Sequence, residues 1–114
     1  MSTKIPTILG VTGMRYLTHH MTLRTRMLNF PKKVALVDMP HGYKKETYEE
    51  LWLRSNRLAN ALTMLGIKKG DKVAYWSEEC VEIVEIWYAT SKLGAVWTGV
   101  NARYKGSEAE YVIN

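Results

Sequence analysis

Residues 47–66, TYEELWLRSNRLANALTMLG, decide how this chain folds. Thr47 followed three residues later by Glu50 is the pattern of a capping box: the Thr hydroxyl accepts from the Glu50 N–H, and the Glu50 carboxylate reaches back to the Thr47 N–H. Leu51, Leu58, Leu62 and Leu65 recur at helical spacing, with Ser55 in the remaining slot of that face. Arg54, Arg57 and Asn60 fall towards the opposite, wet side. Gly66 supplies the left-handed residue that ends such a helix, and Ile67 follows as its apolar contact. The stretch therefore predicts a capped amphipathic helix, a scaffold element whose meaning lies in what it connects.

Outward from this helix the chain alternates. Val34–Asp38 is a short aliphatic run that predicts a strand; Pro40-His41-Gly42 is a turn, and Tyr43–Glu46 returns as the second strand of a hairpin. After the helix, Lys68-Lys69-Gly70-Asp71 is a polar turn and Val73–Trp76 a buried strand. Ser77-Glu78-Glu79 opens a second helix, its acids placed where the macrodipole favours them. That helix runs to about Leu93, with Glu78, Glu82, Glu85 and Lys92 on the wet side and Cys80, Ile83, Val84, Trp87 and Ser91 on the other; Gly94 caps it. Ala95–Val100 is a further strand. The expected class is α/β: a β-hairpin followed by helix, strand, helix, strand, with parallel pairing through helical crossovers.

The two ends differ from this middle. Residues 1–13, with Pro6, Gly10 and Gly13, show no period and are expected to form a flexible lead-in. From Met14 a helical stripe of Met14, Leu17, Met21 and Leu28 runs to Pro31, which stops it. Ser107 followed by Glu110 is a second capping box, predicting a third helix that the chain leaves unfinished at Asn114. Residues 14–114 are therefore expected to be one α/β subdomain, cut at its C-terminal end from a longer protein.

Composition narrows the function classes. The 114 residues carry a net charge of +5 with an apolar fraction of 46 %. The charge is uneven, +7 over residues 1–45 and −2 over the rest. Cys80 is the single cysteine, so no internal disulfide is available and a cytoplasmic location is expected. No apolar run approaches the roughly 18 residues a membrane span needs; Ile5–Met14 is too short and is interrupted by Pro6, Thr7 and Thr12.

No catalytic constellation emerges. Glu49/Glu50 and Glu78/Glu79 are adjacent carboxylates at helix starts, explained by capping. Cys80 lacks a nearby histidine in sequence and reads as a small core residue. His19 and His20 point about 100° apart on a helix and cannot readily share a metal. Trp52, Trp76, Trp87 and Trp97 lie within elements and read as core, and neither metal-finger spacing nor a nucleic-acid-binding aromatic motif is present. Gly10-Val11-Thr12-Gly13 lacks the further glycines and Lys of a phosphate loop. The best polar loop is Asn101–Lys105, after a strand end where ligands gather in open α/β sheets; its plainer reading is a turn with solvated bases. No catalytic, metal-binding or cofactor-binding residue is assigned.

Several strings nevertheless occur in a telling order: Phe30–Asp38 (FPKKVALVD), Thr47–Leu51 (TYEEL), Leu58–Leu62 (LANAL), Gly66–Ala74 (GIKKGDKVA), Lys92–Val96 (KLGAV) and Val100–Arg103 (VNAR). Together they resemble the N-terminal part of the adenylate-forming (AMP-binding) enzymes, most closely acyl-CoA synthetases. The resemblance implies activation of a carboxylic acid by ATP and Mg2+ as an acyl-adenylate, then transfer to coenzyme A. It also implies that the family's phosphate loop, adenine site, acyl pocket and small C-terminal domain lie beyond residue 114, leaving this segment inactive alone and prone to self-association through Trp87, Trp97, Tyr111, Val112 and Ile113. Glu79 stands where the family often has Asn, and Gly99 where it often has Pro, both read as turn positions. The competing reading is a stand-alone α/β binding module whose basic first third holds an acidic partner. A Ser/Thr/Gly-rich loop ending Pro-Lys-Gly downstream of Asn114 would decide for the ligase.

Overall fold

The computed structural model describes residues 18–114. The expected lead-in over 1–13, and the helical positions Met14 and Leu17, lie outside the described residues.

The capped helix is present as α2, Tyr48–Met64. Thr47 Oγ1 accepts from the Glu50 N–H at 3.2 Å, and Glu50 Oε1 accepts from the Thr47 N–H at 2.9 Å. At the other end the Gly66 N–H donates to Thr63 O and the Ile67 N–H to Leu62 O, both at 3.0 Å, with Gly66 at φ +92°. These two bonds satisfy carbonyls that the helix end would otherwise orphan. The buried stripe is Leu51, Ser55 and Ala59, one turn apart, with Leu58 and Leu62 half-buried beside it. Leu65 departs from expectation: it is 79 % exposed, because it is the C-cap residue and the chain turns away there.

Before α2, β1 (Val34–Asp38) and β2 (Lys44–Thr47) form an antiparallel hairpin. They are joined by a 3-10 turn over Met39–His41 and by left-handed Gly42 and Tyr43. The return strand starts at Lys44 rather than Tyr43, since Tyr43 at φ +58° cannot be extended. The first helix, α1, is His19–Asn29, capped by Thr18 and ended before Pro31 as expected. Its buried face, however, is Leu23, flanked by half-buried His20 and Met27, whereas Met21 and Leu28 are exposed. Both stripes have helical spacing. The one that wins meets neighbours: the His20 ring stacks on Trp52 at 4.6 Å, and the His20 backbone N–H donates to Ser91 Oγ at 3.3 Å.

After α2, β3 (Lys72–Trp76) pairs in parallel with β4 (Val96–Val100), Lys72 opposite Val96 through Trp76 opposite Val100. The crossover is α3, Val81–Leu93, closed by left-handed Gly94. β3 is not fully buried: Val73 and Tyr75 face inward, while Trp76 is exposed. α3 begins four residues later than Ser77, at Val81 after Cys80. Glu85, expected on its wet side, is 4 % exposed. The last helix, α4, is Gly106–Ile113. Its first residue precedes the predicted Ser107 cap; Glu108 Oε2 instead accepts from the Lys105 N–H at 2.8 Å, and Ala109 is its buried contact.

The two sheets are separate two-stranded pairs. The core lies where the helices meet, around Leu23, Leu51, Ala59, Val81 and Ala89.

Removing the cap by Thr47→Ala is expected to cost about 0.5–2 kcal/mol. Leu51→Ala should cost about 2–5 kcal/mol as a cavity in the core, and Leu65→Ala should stay within about 0.5 kcal/mol. Urea denaturation that ranked Leu65→Ala above Leu51→Ala would overturn this assignment of the helix face.

Candidate functional site

Parallel pairing brings the C-terminal ends of β3 and β4 side by side, and the loops that follow them enclose a crevice of about 550 Å³. Ser77 and Glu79 line it from the β3 side, and Asn101 and Arg103 from the β4 side. Asn101 makes the second loop: its Oδ1 accepts from the Arg103 N–H and its carbonyl from the Tyr104 N–H, both at 2.9 Å. Asn101–Lys105 is thus a turn, as its plainer reading held, and the Asn101 and Arg103 part of it also walls the crevice.

Tyr75 and Gly99 are cross-strand partners at the base of this crevice. A Cβ on Gly99 would sit 2.8 Å from the Tyr75 hydroxyl oxygen and 3.1 Å from two ring carbons. Gly99 therefore lies within β4 and not in a turn; the ring of Tyr75, itself stacked on Trp97 at 5.0 Å, occupies the space a side chain needs. Tyr75 also lines an apolar cavity of about 530 Å³ with Leu36, Met39, Cys80 and Val84.

Cys80 is not a core residue. It is half-buried as the N-cap of α3, its side chain making no cap bond, its Sγ 3.9 Å from Ser77 Oγ. The cap comes from the hairpin: Asp38 Oδ2 accepts from the Val81 N–H at 3.2 Å, while Asp38 Oδ1 lies 2.7 Å from His41 Nδ1. Burial opposes the Asp38 charge, but the bonds from His41 and the Val81 N–H outweigh it and hold the carboxyl below its ordinary value of 3.8.

His19 and His20 go to different aromatic partners, Trp87 and Trp52, each at 4.6 Å. Among the described residues no three His, Cys, Asp or Glu side chains gather as metal ligands. Trp52 and Trp97 are half-buried, whereas Trp76 and Trp87 are exposed beyond what core residues would be.

The α3 N-terminus does not fit a phosphate. The N-terminus of α3 is the natural place for a phosphate beside a parallel strand pair, but the carboxylate of Asp38 already occupies it. Glu78, Glu79 and Glu82 around it would repel a second anion. Sequence reasoning missed Asp38 as a cap, because its partner lies 43 residues away. It also missed a cluster of Glu46, Arg54 and Glu85, contributed by three elements.

The Asp38 cap carries a pH signature. A depressed carboxyl stabilises above the ordinary carboxylate pKa, and its contribution is lost as pH falls through the folded value. The wild-type chain should exceed Asp38→Ala in urea midpoint at neutral pH, with the gap closing as pH falls below about 3.8. An equal gap at neutral and acid pH would exclude the cap.

Known proteins share this arrangement. A family model described as AMP-binding enzyme matches residues 23–114. Crotonobetaine/carnitine–CoA ligase of Proteus mirabilis is 38 % identical over 87 residues, which are 75 % of this chain and 17 % of the ligase. Among solved structures, a Mycobacterium tuberculosis fatty acyl CoA synthetase superposes with a TM-score of 0.76 at 35 % identity, covering 82 % of this chain and 18 % of that one. The N-terminal domain of FACL13 from the same organism gives 0.79 at 34 % identity, over 85 % of this chain and 24 % of that domain. The chain thus spans under a fifth of the length of the ligase. With motif strings, fold and family model in agreement over the same residues, the chain belongs to the AMP-binding enzyme family, of which it represents an N-terminal portion.

Proposed function

We propose that this chain serves as the opening α/β subdomain, residues 14–114 behind a lead-in over 1–13, of an ATP-dependent acyl-CoA synthetase. The enzyme would activate a carboxylic acid, of the fatty acid class, as acyl-AMP with Mg2+ assistance and pass the acyl group to coenzyme A. It would act in the cytoplasm. The single observation that carries this reading is the identity with a CoA ligase over 75 % of this chain and with a fatty acyl CoA synthetase over 82 % of it. Within that enzyme these residues supply a frame and no catalytic, metal or nucleotide-binding side chain, as the occupied α3 N-terminus supports. Among the described residues no helix is long and apolar enough to cross a membrane.

The test is a chimera. Residues 23–114 replace the matching segment of the Proteus mirabilis ligase, and CoA-dependent AMP formation is measured. Retained activity is expected. A folded but inactive chimera would overturn the reading. The 114-residue chain alone should form no AMP from ATP and carboxylate, and any such turnover would overturn the proposal that it lacks catalytic residues.

Of the side chains expected to drive association, Trp87, Tyr111, Val112 and Ile113 are exposed, as is Val96, whereas Trp97 is half-buried, and exposed apolar surface favours contact with another copy. The chain alone should therefore self-associate. Light scattering over a concentration series checks this, and a strictly monomeric chain at high concentration would contradict it.

A further inference from the structure

We propose that Glu46 and Glu85 hold one proton between them beside Arg54, and that this proton clamps the hairpin to α2 and α3.

The three residues come from three elements: Glu46 from β2, Arg54 from α2 and Glu85 from α3. Glu46 is 3 % and Glu85 4 % exposed. Arg54 Nε donates to Glu85 Oε2 at 2.5 Å, and its guanidinium leads out to solvent. One guanidinium neutralises one carboxylate. Both carboxyl oxygens of Glu46 are buried without a hydrogen-bond partner, an arrangement folded proteins avoid for an ionised group. Glu85 from α3, and Arg54 and Glu50 from α2, are the charges that act on Glu46. Its cross-strand neighbour on β1 is Leu36, which brings none, and Lys45 and Thr47 on its own strand point to the other face.

A proton resolves the conflict. Protonated Glu46 buries no charge and gains an O–H that donates to the Glu85 carboxylate. The donor that Glu46 lacks is then its own. The electrostatics agree. Burial first, and then Glu85, push Glu46 from an ordinary 4.5 to about 7, with Arg54 pulling the other way without cancelling them.

The sign follows from linkage. A carboxyl with a raised folded pKa binds more proton in the folded than in the unfolded state between the two values. The stability it confers is complete below the ordinary value and is lost as pH rises through the folded one. For Glu46 that interval is 4.5 to about 7.

The test compares urea midpoints of the 114-residue chain and Glu46→Gln between about pH 5 and 8. The Gln amide donates to Glu85 at every pH. Every other ionisable group is common to the two proteins, so the difference between the curves reads Glu46. Wild type should lose midpoint with rising pH while Glu46→Gln holds it, the variant being the more stable at pH 8. Parallel curves would overturn the proposal. If Glu46→Gln does not fold, infrared absorption of the wild-type chain decides alone. A protonated carboxylic acid band at about pH 6 that vanishes by about pH 8 supports the shared proton, and its absence at the lower pH overturns it.

Discussion

Everything in this structure leans on the contact between α2 and α3. A two-stranded sheet is marginal by itself in water, and this chain has two, sharing no strand. What joins them is a pair of helices that approach closely because their facing residues are small: Ser55 and Ala59 on one, Ala89 and Thr90 on the other, all within 1 % of complete burial. Polar bonds fix the pairing along its length. Arg54 reaches Glu85 near one end, and Lys92 Nζ donates to Asn56 Oδ1 at 2.8 Å further along. The hairpin is fused to α2 through Thr47, and the parallel pair is fused to α3 through Gly94, so fixing one helix against the other fixes both sheets.

Local signals were legible where the chemistry is local. The Thr47 box, the Gly66 and Gly94 stops and the hairpin all follow from residues close together in the chain. The misreadings share a different cause. Leu23 was hidden because α1 carries two stripes at helical spacing, and only the positions of Trp52 and Ser91 decide between them. Glu85 reads as a wet-side residue because an acid is solvated by default; it is buried because Arg54, 31 residues earlier, comes to meet it. Val81 replaced Ser77 as the helix start because the cap is Asp38. Gly99 looked like a turn glycine because the ring that covers it belongs to another strand. The crevice itself was half visible: Asn101–Lys105 pointed to one wall, and parallel pairing was needed to bring Ser77 and Glu79 opposite.

The site and the family relation also fit together physically. The ends of parallel strands are where open α/β sheets receive ligands, yet here the adjoining helix N-terminus is filled by Asp38 and ringed with acids. What the segment contributes is shape: a strand pair held at fixed register, Tyr75 stacked on Trp97 with Trp87 tilted against it, and a glycine that leaves room for the Tyr75 ring. Such features constrain side-chain size more than side-chain chemistry, which explains how motif strings rich in Gly, Ala and Leu carry the likeness to the ligases.

The Asp38–Val81 bond also bears on the order in which the chain assembles. α2 carries both its caps within its own sequence and can nucleate early. The first turn of α3 cannot be completed by nearby residues, since Cys80 makes no cap bond and the acceptor arrives from 43 residues upstream. Closing a loop of that length costs entropy before any contact rewards it. Contacts of large sequence separation slow folding for this reason. The N-terminus of α3 therefore has this cap only where the hairpin is docked against it, and the crevice beside it, walled by the loop between β3 and α3, depends on that docking.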